Sequence, residues 1–468
     1  MTRPRTAIAI LLALVLCAVV PLRSQPSRDW LDAYREPASR LIGAAFADTA
    51  AWERLAFLTD TFGPRLSGTP NLEAAIAWAE ATMKADGLEQ VRAEPVMVPR
   101  WVRGRESVEI LDPVVRPLMM LGLGGSVGTP PEGLEAEAIV VSSFDELDRR
   151  ATEIKGRIVV FNVPYTSYGE TVQYRSNGPS RAARHGAVAM LLRSVGPVGL
   201  RTPHTGQTHY DDGVPAIPAA ALAVEDAQQL ARMQARGQRL RLRLKMEAHT
   251  LPDVASANVI GEIVGRERPE EIVVVSGHFD SWDVGTGAMD DGGGAIAAWE
   301  AVRLMAKLNL RPRRTVRAVL YTNEENGLRG GTAYRDRHRE ALDRHVLMIE
   351  SDAGVFRPLG FGFTGSPRAR EIVTRIASLL EGFDATRIGP TGSGADIGPS
   401  VQAAGIPSMS LDVDGSRYFV YHHSPADTID RLDSHDVARS VAAMAVMAYV
   451  VAELPERLPA EPGANRGR

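Results

Sequence analysis

The sequence predicts an α/β protein: a three-layer α/β/α sandwich around a mixed, largely parallel sheet, with a smaller α/β domain inserted into it. In the second half of the chain, strand-like and helix-like segments alternate, which is typical of a parallel sheet covered by helices on both faces. The 468 residues exceed what one hydrophobic core usually organises, and 44% of them are hydrophobic, an ordinary globular value. We therefore expect two domains, or one large domain carrying an insertion.

Residues 1–25 have the layout of a secretory signal peptide. Two arginines precede an apolar run from Ala7 to Val20, and Pro21 and polar residues follow. We expect this segment to be removed and the mature protein to be exported, either secreted or periplasmic. The alternative is an uncleaved membrane anchor, but the run is short for a bilayer span, and no other stretch is predicted to span one. The only cysteine, Cys17, lies in this run, so the mature chain has no disulfide and no thiolate metal ligand.

Residues 28–111 are predicted to form the first part of the main domain. Apolar residues recur at helical spacing from Trp30 to about Leu88, and a Gly- and Pro-containing loop at 62–70 interrupts them, so two helices should flank a structured loop. The Gly/Pro-rich stretch GLGGSVGTPPEG then marks a junction. We assign residues 112–248 to the inserted domain, where EAIVVSS, GRIVVFNVP and AVAMLLRS are short β-rich runs.

Residues 249–455 carry the alternating pattern and complete the main domain. Strands are predicted at 271–276, 315–322, 345–351 and 406–412, and helices at 294–308, 366–382 and 434–454. Ser434 is the predicted N-cap of the last helix. The tail, residues 456–468, is expected to be disordered.

The charge balance gives little information about partners. Lys and Arg total 53 against 57 Asp and Glu, a net charge of -4, so the overall field neither attracts nucleic acid nor favours an acidic partner. One polar cluster in the insert, HTGQTHYDDG, contains His204, His209 and Tyr210. Its spacing does not resemble a closed metal site, so we interpret it as structural, with metal binding as the alternative.

Metal-binding residue types follow the predicted strands of the main domain. In chain order they are His278, Asp280, Asp283, Asp290, Asp291, Glu324, Glu325, Asp352, His422, His423 and Asp427. Ligands of open α/β sheets bind beyond the carboxyl ends of the strands, so these segments should meet. Each motif alone is a weak signal, but three strand ends and a fourth loop together predict a metal site.

Carboxylates and histidines in this number suit two divalent cations. Cations about 3.5–4 Å apart repel each other, and a bridging carboxylate offsets the repulsion, so one aspartate must serve both. Three carboxylates against two Zn²⁺ leave a positive charge that favours bound hydroxide and polarises a substrate carbonyl. A further carboxylate, not bound to metal, is needed to move the proton.

These motifs resemble a known family. GHFDSWDVGTGAMDDGGG, NEENGLRG, ESDAG and YHHSPADT, preceded by GPRLSGTP, resemble the co-catalytic zinc exopeptidases of the M28 type, which include bacterial aminopeptidases and glutamate carboxypeptidases. The carboxypeptidase members are the nearer match. The resemblance covers nearly the whole mature chain and implies a zinc-peptidase sandwich, a protease-associated domain as the insert, and a homodimer.

The resemblance also implies the metal ligands. His278 and Asp352 are ligands of one zinc, Glu325 and His423 are ligands of the other, and Asp290 bridges the two.

Other residues take supporting roles by the same resemblance. Glu324 is the general base, and Asp280 orients the imidazole of the first histidine ligand, with the capping of a loop as the alternative role for Asp280. His422 falls where relatives often have a tyrosine that holds the tetrahedral intermediate, so it either donates to the oxyanion or packs as a neutral group. Ser393 lines the substrate cleft with the TGSGADIG segment, in which Asp396 is interpreted as structural.

Together these assignments imply a di-zinc metallo-exopeptidase acting on dipeptides or short peptides. Zinc-bound hydroxide, formed with Glu324 as base, attacks the peptide carbonyl. Whether the free amine or the free carboxylate of the substrate is recognised stays open, because relatives with this metal shell do both. The alternatives are an inactive receptor-like homologue, disfavoured because all ligand positions are present, and a single-zinc glutaminyl cyclase-type acyltransferase, disfavoured by the retention of His278.

Overall fold

The computed structural model describes residues 29–197 and 199–459, which form two eight-stranded sheets covered by helices. The strands are β1 Glu89–Val102, β2 Glu106–Asp112, β3 Arg116–Leu118, β4 Met120–Gly122, β5 Leu134–Val141, β6 Ile158–Phe161, β7 Ala189–Arg193, β8 Ala219–Leu222, β9 Arg241–Met246, β10 His249–Ile263, β11 Arg268–His278, β12 Arg314–Tyr321, β13 His345–Glu350, β14 Pro358–Thr364, β15 Arg387–Gly389 and β16 Ser408–Val413. The helices are α1 Asp32–Ala47, α2 Ala50–Phe57, α3 Pro70–Ala85, α4 Phe144–Arg149, α5 Ala151–Ile154, α6 Tyr168–Thr171, α7 Gln173–Ser176, α8 Gly178–Arg184, α9 Val224–Ala235, α10 Gly293–Lys307, α11 Arg329–Arg337, α12 Pro367–Ala377, α13 Gly398–Ala404, α14 Tyr418–Tyr421 and α15 Ser434–Glu453.

The first sheet has the strand order β1-β10-β12-β11-β13-β16-β14-β15. Its four central strands, from β12 to β16, run parallel, whereas the pairs β1–β10, β10–β12 and β14–β16 are antiparallel. β12 and β13 are buried along their whole length, and β11 is buried from Ile272 onward, as expected for parallel strands covered on both faces. The predicted mixed sheet with a parallel centre is confirmed.

Helices cover both faces of this sheet. The larger core contains buried residues of α1, α3, α10 and α15, and a smaller core on the opposite face contains Tyr334 of α11 and packs against Val401 of α13. The three-layer arrangement is therefore also confirmed. Among the described residues, α15 alone is long and apolar enough to cross a membrane, contrary to the expectation that no such stretch follows the N-terminal run. Its burial between α1, α10 and the sheet is that of a core helix.

The second sheet has the order β3-β2-β9-β5-β6-β7-β8-β4, with β5 to β8 parallel. Three of these strands, β5, β6 and β7, are the β-rich runs predicted for the insert. The domain limits stay a prediction. The strands of the second sheet run from Glu106 to Met246, and β2 lies ahead of the expected boundary at residue 112 because it pairs with β9.

Two local predictions differ from the structure. The first helical stretch consists of α1, α2 and α3 instead of two helices, because the chain extends at Asp48, whose carboxylate accepts the N–H of Ala50 at 2.9 Å. The N-cap of α15 is Asp433 and not Ser434, since the Asp433 carboxylate accepts the N–H of His435 at 2.8 Å.

The two ends of the chain bear on two further predictions. Residues 1–25, with Cys17, lie outside the described residues. Of the expected tail 456–468, residues 456–459 are described, and Leu458 packs against the main core.

Candidate metal centre

Three parallel strands bring the predicted ligands to one edge of the first sheet. β11 pairs with β12 so that His278 lies beside Tyr321, and with β13 so that Ser276 lies beside Glu350. The chain therefore leaves all three strands at the same level, with Glu325 and Asp352 a few residues beyond the strand ends.

Asp290 lies at the centre of this edge. Its Oδ1 is 3.2 Å from Nε2 of His278, and the same Nε2 is 3.5 Å from Oδ1 of Asp352. Its Oδ2 is 3.3 Å from Nε2 of His423, which is 3.0 Å from Oε2 of Glu325. Asp290 thus joins two groups of residues: Oδ1 faces His278, which contacts Asp352, and Oδ2 faces His423, which contacts Glu325, with Nε2 of His422 also 3.4 Å from Oδ2. The structure brings all five predicted ligands together.

The chemistry of these groups fits zinc. Imidazole nitrogens and carboxylate oxygens are zinc ligands. Oε1 of Glu325 is buried without a hydrogen bond, although buried polar atoms usually have a partner. Such atoms are costly to bury unless a cation or donor satisfies them.

Neighbouring carboxylates raise the pKa values of both of these histidines. Burial lowers the pKa of His278, but hydrogen bonds to Asp290 and Asp352 outweigh it and raise that pKa well above the usual range. Burial also lowers the pKa of His423. The charge of Glu325 and the hydrogen bonds to Asp290 and Glu325 outweigh burial and raise that pKa well above its usual range. Both imidazoles are therefore bound by the carboxylates with which they would share a metal ion, and metal binding should release protons.

The adjacent glutamates occupy different surroundings. The Glu325 side chain is 2% exposed and pairs with His423, whereas Glu324 is partly exposed. Among the described residues, no cationic group lies within ion-pairing distance of the Glu324 carboxylate. Burial raises the pKa of Glu324 well above its usual range; His278 lowers it, and the charge of Asp352 raises it further. A carboxylate with a raised pKa beside the ligands is suited to proton transfer.

Asp280 contacts both His278 and the glutamate loop. Nδ1 of His278 lies 2.9 Å from the main-chain carbonyl of Asp280, whereas the nearest carboxylate oxygen is 3.7 Å away. The carboxylate instead accepts the N–H groups of Glu324 at 3.1 Å and Glu325 at 3.3 Å. Asp280 therefore orients the imidazole through its carbonyl and holds the glutamate loop through its side chain.

Two other aspartates, for which no individual role was predicted, also accept main-chain N–H groups of the ligand segments. Asp291 accepts the N–H of His278 at 3.1 Å and that of Gly294 at 3.1 Å. Asp427 accepts the three successive N–H groups of residues 288–290 at 3.1, 2.8 and 3.2 Å. Burial and the charge of Asp290 raise the pKa of Asp427 to about 7. The sequence signals were the paired aspartates at 290–291 and the His-Ser-x-x-Asp-Thr spacing.

Similarity to known proteins identifies the family of this chain. The model of peptidase family M28 matches residues 258–448. Carboxypeptidase Q from Homo sapiens is 49% identical over 413 residues, which cover 88% of this chain and 87% of that protein. This chain belongs to peptidase family M28. The crystal structure of a peptidase M28 precursor from Shewanella amazonensis superposes with a TM-score of 0.89 at 34% identity, covering 92% of this chain and 99% of that one.

A more distant structure shows the same fold. A zinc aminopeptidase from Bacillus subtilis superposes with a TM-score of 0.67 at 20% identity, covering 87% of this chain and 98% of that one. The expected resemblance to the M28-type zinc exopeptidases is thus confirmed, and the chain is a zinc metallopeptidase of the carboxypeptidase Q-like type.

The remaining predicted residues of this M28 peptidase differ in burial and in their contacts with the centre. His422 stacks on His423 with ring centroids 3.5 Å apart, and its Nε2 is 3.4 Å from Oδ2 of Asp290. Burial and the neighbouring His423 lower its pKa well below the usual range, so it is a neutral imidazole. Ser393 is exposed, and its role at the cleft stays a prediction. Asp396 is fully buried, and neither carboxylate oxygen has a hydrogen bond.

The second sheet's helices supply groups that were not predicted from the sequence. Arg175 is 7% exposed, its Nη1 lies 3.4 Å from Nδ1 of His423, and its Nη2 donates to the Tyr168 hydroxyl at 3.0 Å. Tyr168 stacks on Phe419 and contacts the edge of His422. Among the described residues, no carboxylate pairs with Arg175, and its Nε has no hydrogen-bond partner.

The side chains of the HTGQTHYDDG cluster make separate contacts. His209 is mostly exposed, and the Tyr210 hydroxyl donates to the carbonyl of Ile217 at 2.6 Å. His204 is buried against the loop of His422, and neither ring nitrogen is hydrogen-bonded. Burial, with the charge of His423, lowers its pKa to about 4.

Proposed function

We propose that this M28 peptidase is an exopeptidase with two zinc ions per chain that hydrolyses dipeptides or short peptides. The observation that carries the proposal is the position of Asp290 between two pairs of residues: Oδ1 faces His278, which contacts Asp352, and Oδ2 faces His423, which contacts Glu325. His278 and Asp352 would hold one zinc, Glu325 and His423 the other, and Asp290 would bridge them. Zinc at these positions would supply an activated water and polarise the substrate carbonyl.

The chain's own residues perform the proton transfers. Glu324 accepts a proton from the attacking water and delivers it to the leaving amine, for which its raised pKa and partial exposure are suited. Asp280 fixes the main chain of Glu324 and so its distance from the ligands. His422, neutral and beside the bridge, is the group proposed to donate to the developing oxyanion.

The surroundings of Arg175 favour recognition of a free carboxylate. A guanidinium binds carboxylates in a bidentate fashion, and this one is buried beside His423 without an acidic partner. The relatives named carboxypeptidase Q agree with this direction. We therefore place the peptidase among the carboxypeptidases and dipeptidases and not among the aminopeptidases.

The two alternatives are less well supported. An inactive receptor-like protein would not need the buried ligands and the free base together. A single-zinc acyltransferase would leave the contact of His278 with Asp290 and Asp352 without a purpose. Homodimer formation and export stay predictions from the sequence.

Zinc counting and a set of blocked dipeptides test the proposal. The purified protein should contain two zinc ions per chain. It should hydrolyse free dipeptides, tolerate N-acetylation better than C-amidation, and lose activity on chelation. One zinc per chain at full activity would contradict the bridging role, and faster hydrolysis of amidated than of acetylated dipeptides would contradict the carboxylate assignment.

A further inference from the structure

We propose that Arg65 is a positioning residue of the metal centre. It lies in the loop between α2 and α3, and its guanidinium fixes the segment that joins His278 to Asp290. In this way it sets the separation of two metal-binding groups. The inference rests on the metal assignment of the proposed function.

The Arg65 side chain donates to four main-chain carbonyls. Nε donates to Phe279 at 3.0 Å, one residue beyond the end of β11. Nη1 donates to Thr286 at 2.7 Å and to Gly63 at 3.0 Å, and Nη2 donates to Gly287 at 3.0 Å. The two ends of the segment 279–287 are thus bound to one rigid, planar group.

Main-chain contacts complete the attachment. The N–H of Arg65 donates to the Ser281 hydroxyl at 3.0 Å, and the N–H of Ser281 donates to the Arg65 carbonyl at 3.2 Å. Gly287 has a φ of 57°, and a Cβ there would clash with Cβ of Ser281 and lie 3.1 Å from Nη2 of Arg65. The segment therefore closes on itself around the guanidinium, with no space for a side chain at Gly287.

Arg65 acts by fixing the position of the segment through hydrogen bonds and not by forming an ion pair. Its side chain is fully buried, and no carboxylate in the described part of the chain lies within ion-pairing distance. Burial lowers its pKa to about 10, with the charges of Asp427 and Asp280 opposing, so it stays protonated at neutral pH. A planar fork with five donors can reach carbonyls at both ends of the segment, whereas a lysine ammonium offers its donors from one atom.

Arg65 can influence catalysis only through the segment that it holds. It is enclosed beneath residues 279–287 and cannot touch a substrate. His278 and Asp290 flank this segment, so loosening it should move the first metal ligand relative to the bridge. Partners that orient metal ligands typically change metal affinity by about 10–100-fold when they are removed.

Arg65→Lys and Arg65→Met in the full chain test the inference, with Arg314→Met as the matched control. Arg314 is also fully buried, but it lies at the opposite end of β12, where it pairs with Glu271 and donates to the Leu454 carbonyl. The zinc dissociation constant is measured by competition with a chelating indicator. The absorption spectrum of the Co²⁺-loaded protein reports the ligand geometry, and thermal unfolding reports stability.

In both Arg65 variants the zinc dissociation constant should rise at least ~10-fold, and in Arg65→Lys the cobalt spectrum should change. Arg314→Met should lower the unfolding temperature and leave affinity and spectrum unchanged. The inference is overturned if Arg65→Lys keeps wild-type affinity and spectrum, or if Arg314→Met loses as much zinc. A wild-type chain that binds no zinc would overturn the proposed function itself, whereas intact zinc binding in the Arg65 variants would overturn this inference alone. If Arg65→Met does not fold, Arg65→Lys decides.

Discussion

Glu324 and Glu325 have identical side chains, yet the structure predicts that their glutamine variants fail in different ways. Glu325 is buried, with Oε2 3.0 Å from Nε2 of His423, and is a proposed ligand. Glu324 is partly exposed, has no ion-pair partner among the described residues, and is the proposed base. Glutamine keeps the shape of each side chain but can neither take the proton nor offer an anionic oxygen.

The magnitudes follow from these two roles. Loss of a general base lowers kcat by at least ~10²-fold, about 2.7 kcal/mol of transition-state free energy, so Glu324→Gln should be nearly inactive with two zinc ions bound. Opposite unit charges 4 Å apart attract by about 4 kcal/mol at an effective dielectric constant of 20. Even if Glu325→Gln loses only a third of this attraction, about 1.4 kcal/mol, the zinc dissociation constant rises about tenfold. Added zinc should therefore restore part of the activity of this variant.

The assay combines metal content after dialysis with kcat at several zinc concentrations. Glu300→Gln is a control for removing a buried carboxylate, because Glu300 pairs with Arg54 and Arg303 away from the centre. The two role assignments are refuted if Glu324→Gln loses zinc while Glu325→Gln keeps two ions and is inactive. Full activity in Glu324→Gln would refute the mechanism.

Three further variants test separate parts of the centre. Asp290→Ala should lose both metal ions and all activity, because the two cations would lack their shared anion; two zinc equivalents in that variant would exclude a bridge. Arg175→Met should raise KM for free dipeptides at least ~10-fold and leave C-amidated peptides unaffected, and equal losses on both would remove the carboxylate assignment. In the chelated protein, the folded-state pKa of Asp427, about 7, lies above its unfolded value. Its stabilising contribution is therefore present below about pH 4 and is lost as pH rises towards 7, by up to about 1.4 kcal/mol per pH unit. Thermal unfolding of chelated Asp427→Asn should show a shallower decline over this range than wild type, and an identical decline would exclude Asp427 as the source.

Much of the main domain could be predicted because its strands are continuous apolar, β-branched runs. The segments at 271–276, 315–322 and 345–351 match β11, β12 and β13 closely, and parallel strands deliver the residues after their carboxyl ends to one edge. The proximity of the five predicted ligands therefore followed from the order of the chain. No distance between them could be read in advance.

Other features depend on side-chain direction, which the sequence does not show. The sequence does not show which atoms of Asp280 act: its main-chain carbonyl contacts His278, and its carboxylate accepts N–H groups of the glutamate loop. Arg175 was missed because its contact with His423 joins residues 248 positions apart. Only the folding of the second sheet against the first brings them together.

The division of labour in the centre suggests where specificity arises. The carboxylates of Asp280, Asp291 and Asp427 bind main-chain N–H groups and hold the ligand segments in place, so they are committed to the scaffold. None of these three carboxylates is available to bind the substrate. Tyr168 and Arg175, both in the short helices of the second sheet, reach the centre from outside the metal-binding loops: Tyr168 contacts His422, and Arg175 contacts His423. Because the strand ends are fixed by the metal geometry, differences in substrate preference among similar chains should map to α6, α7 and the loops beside them.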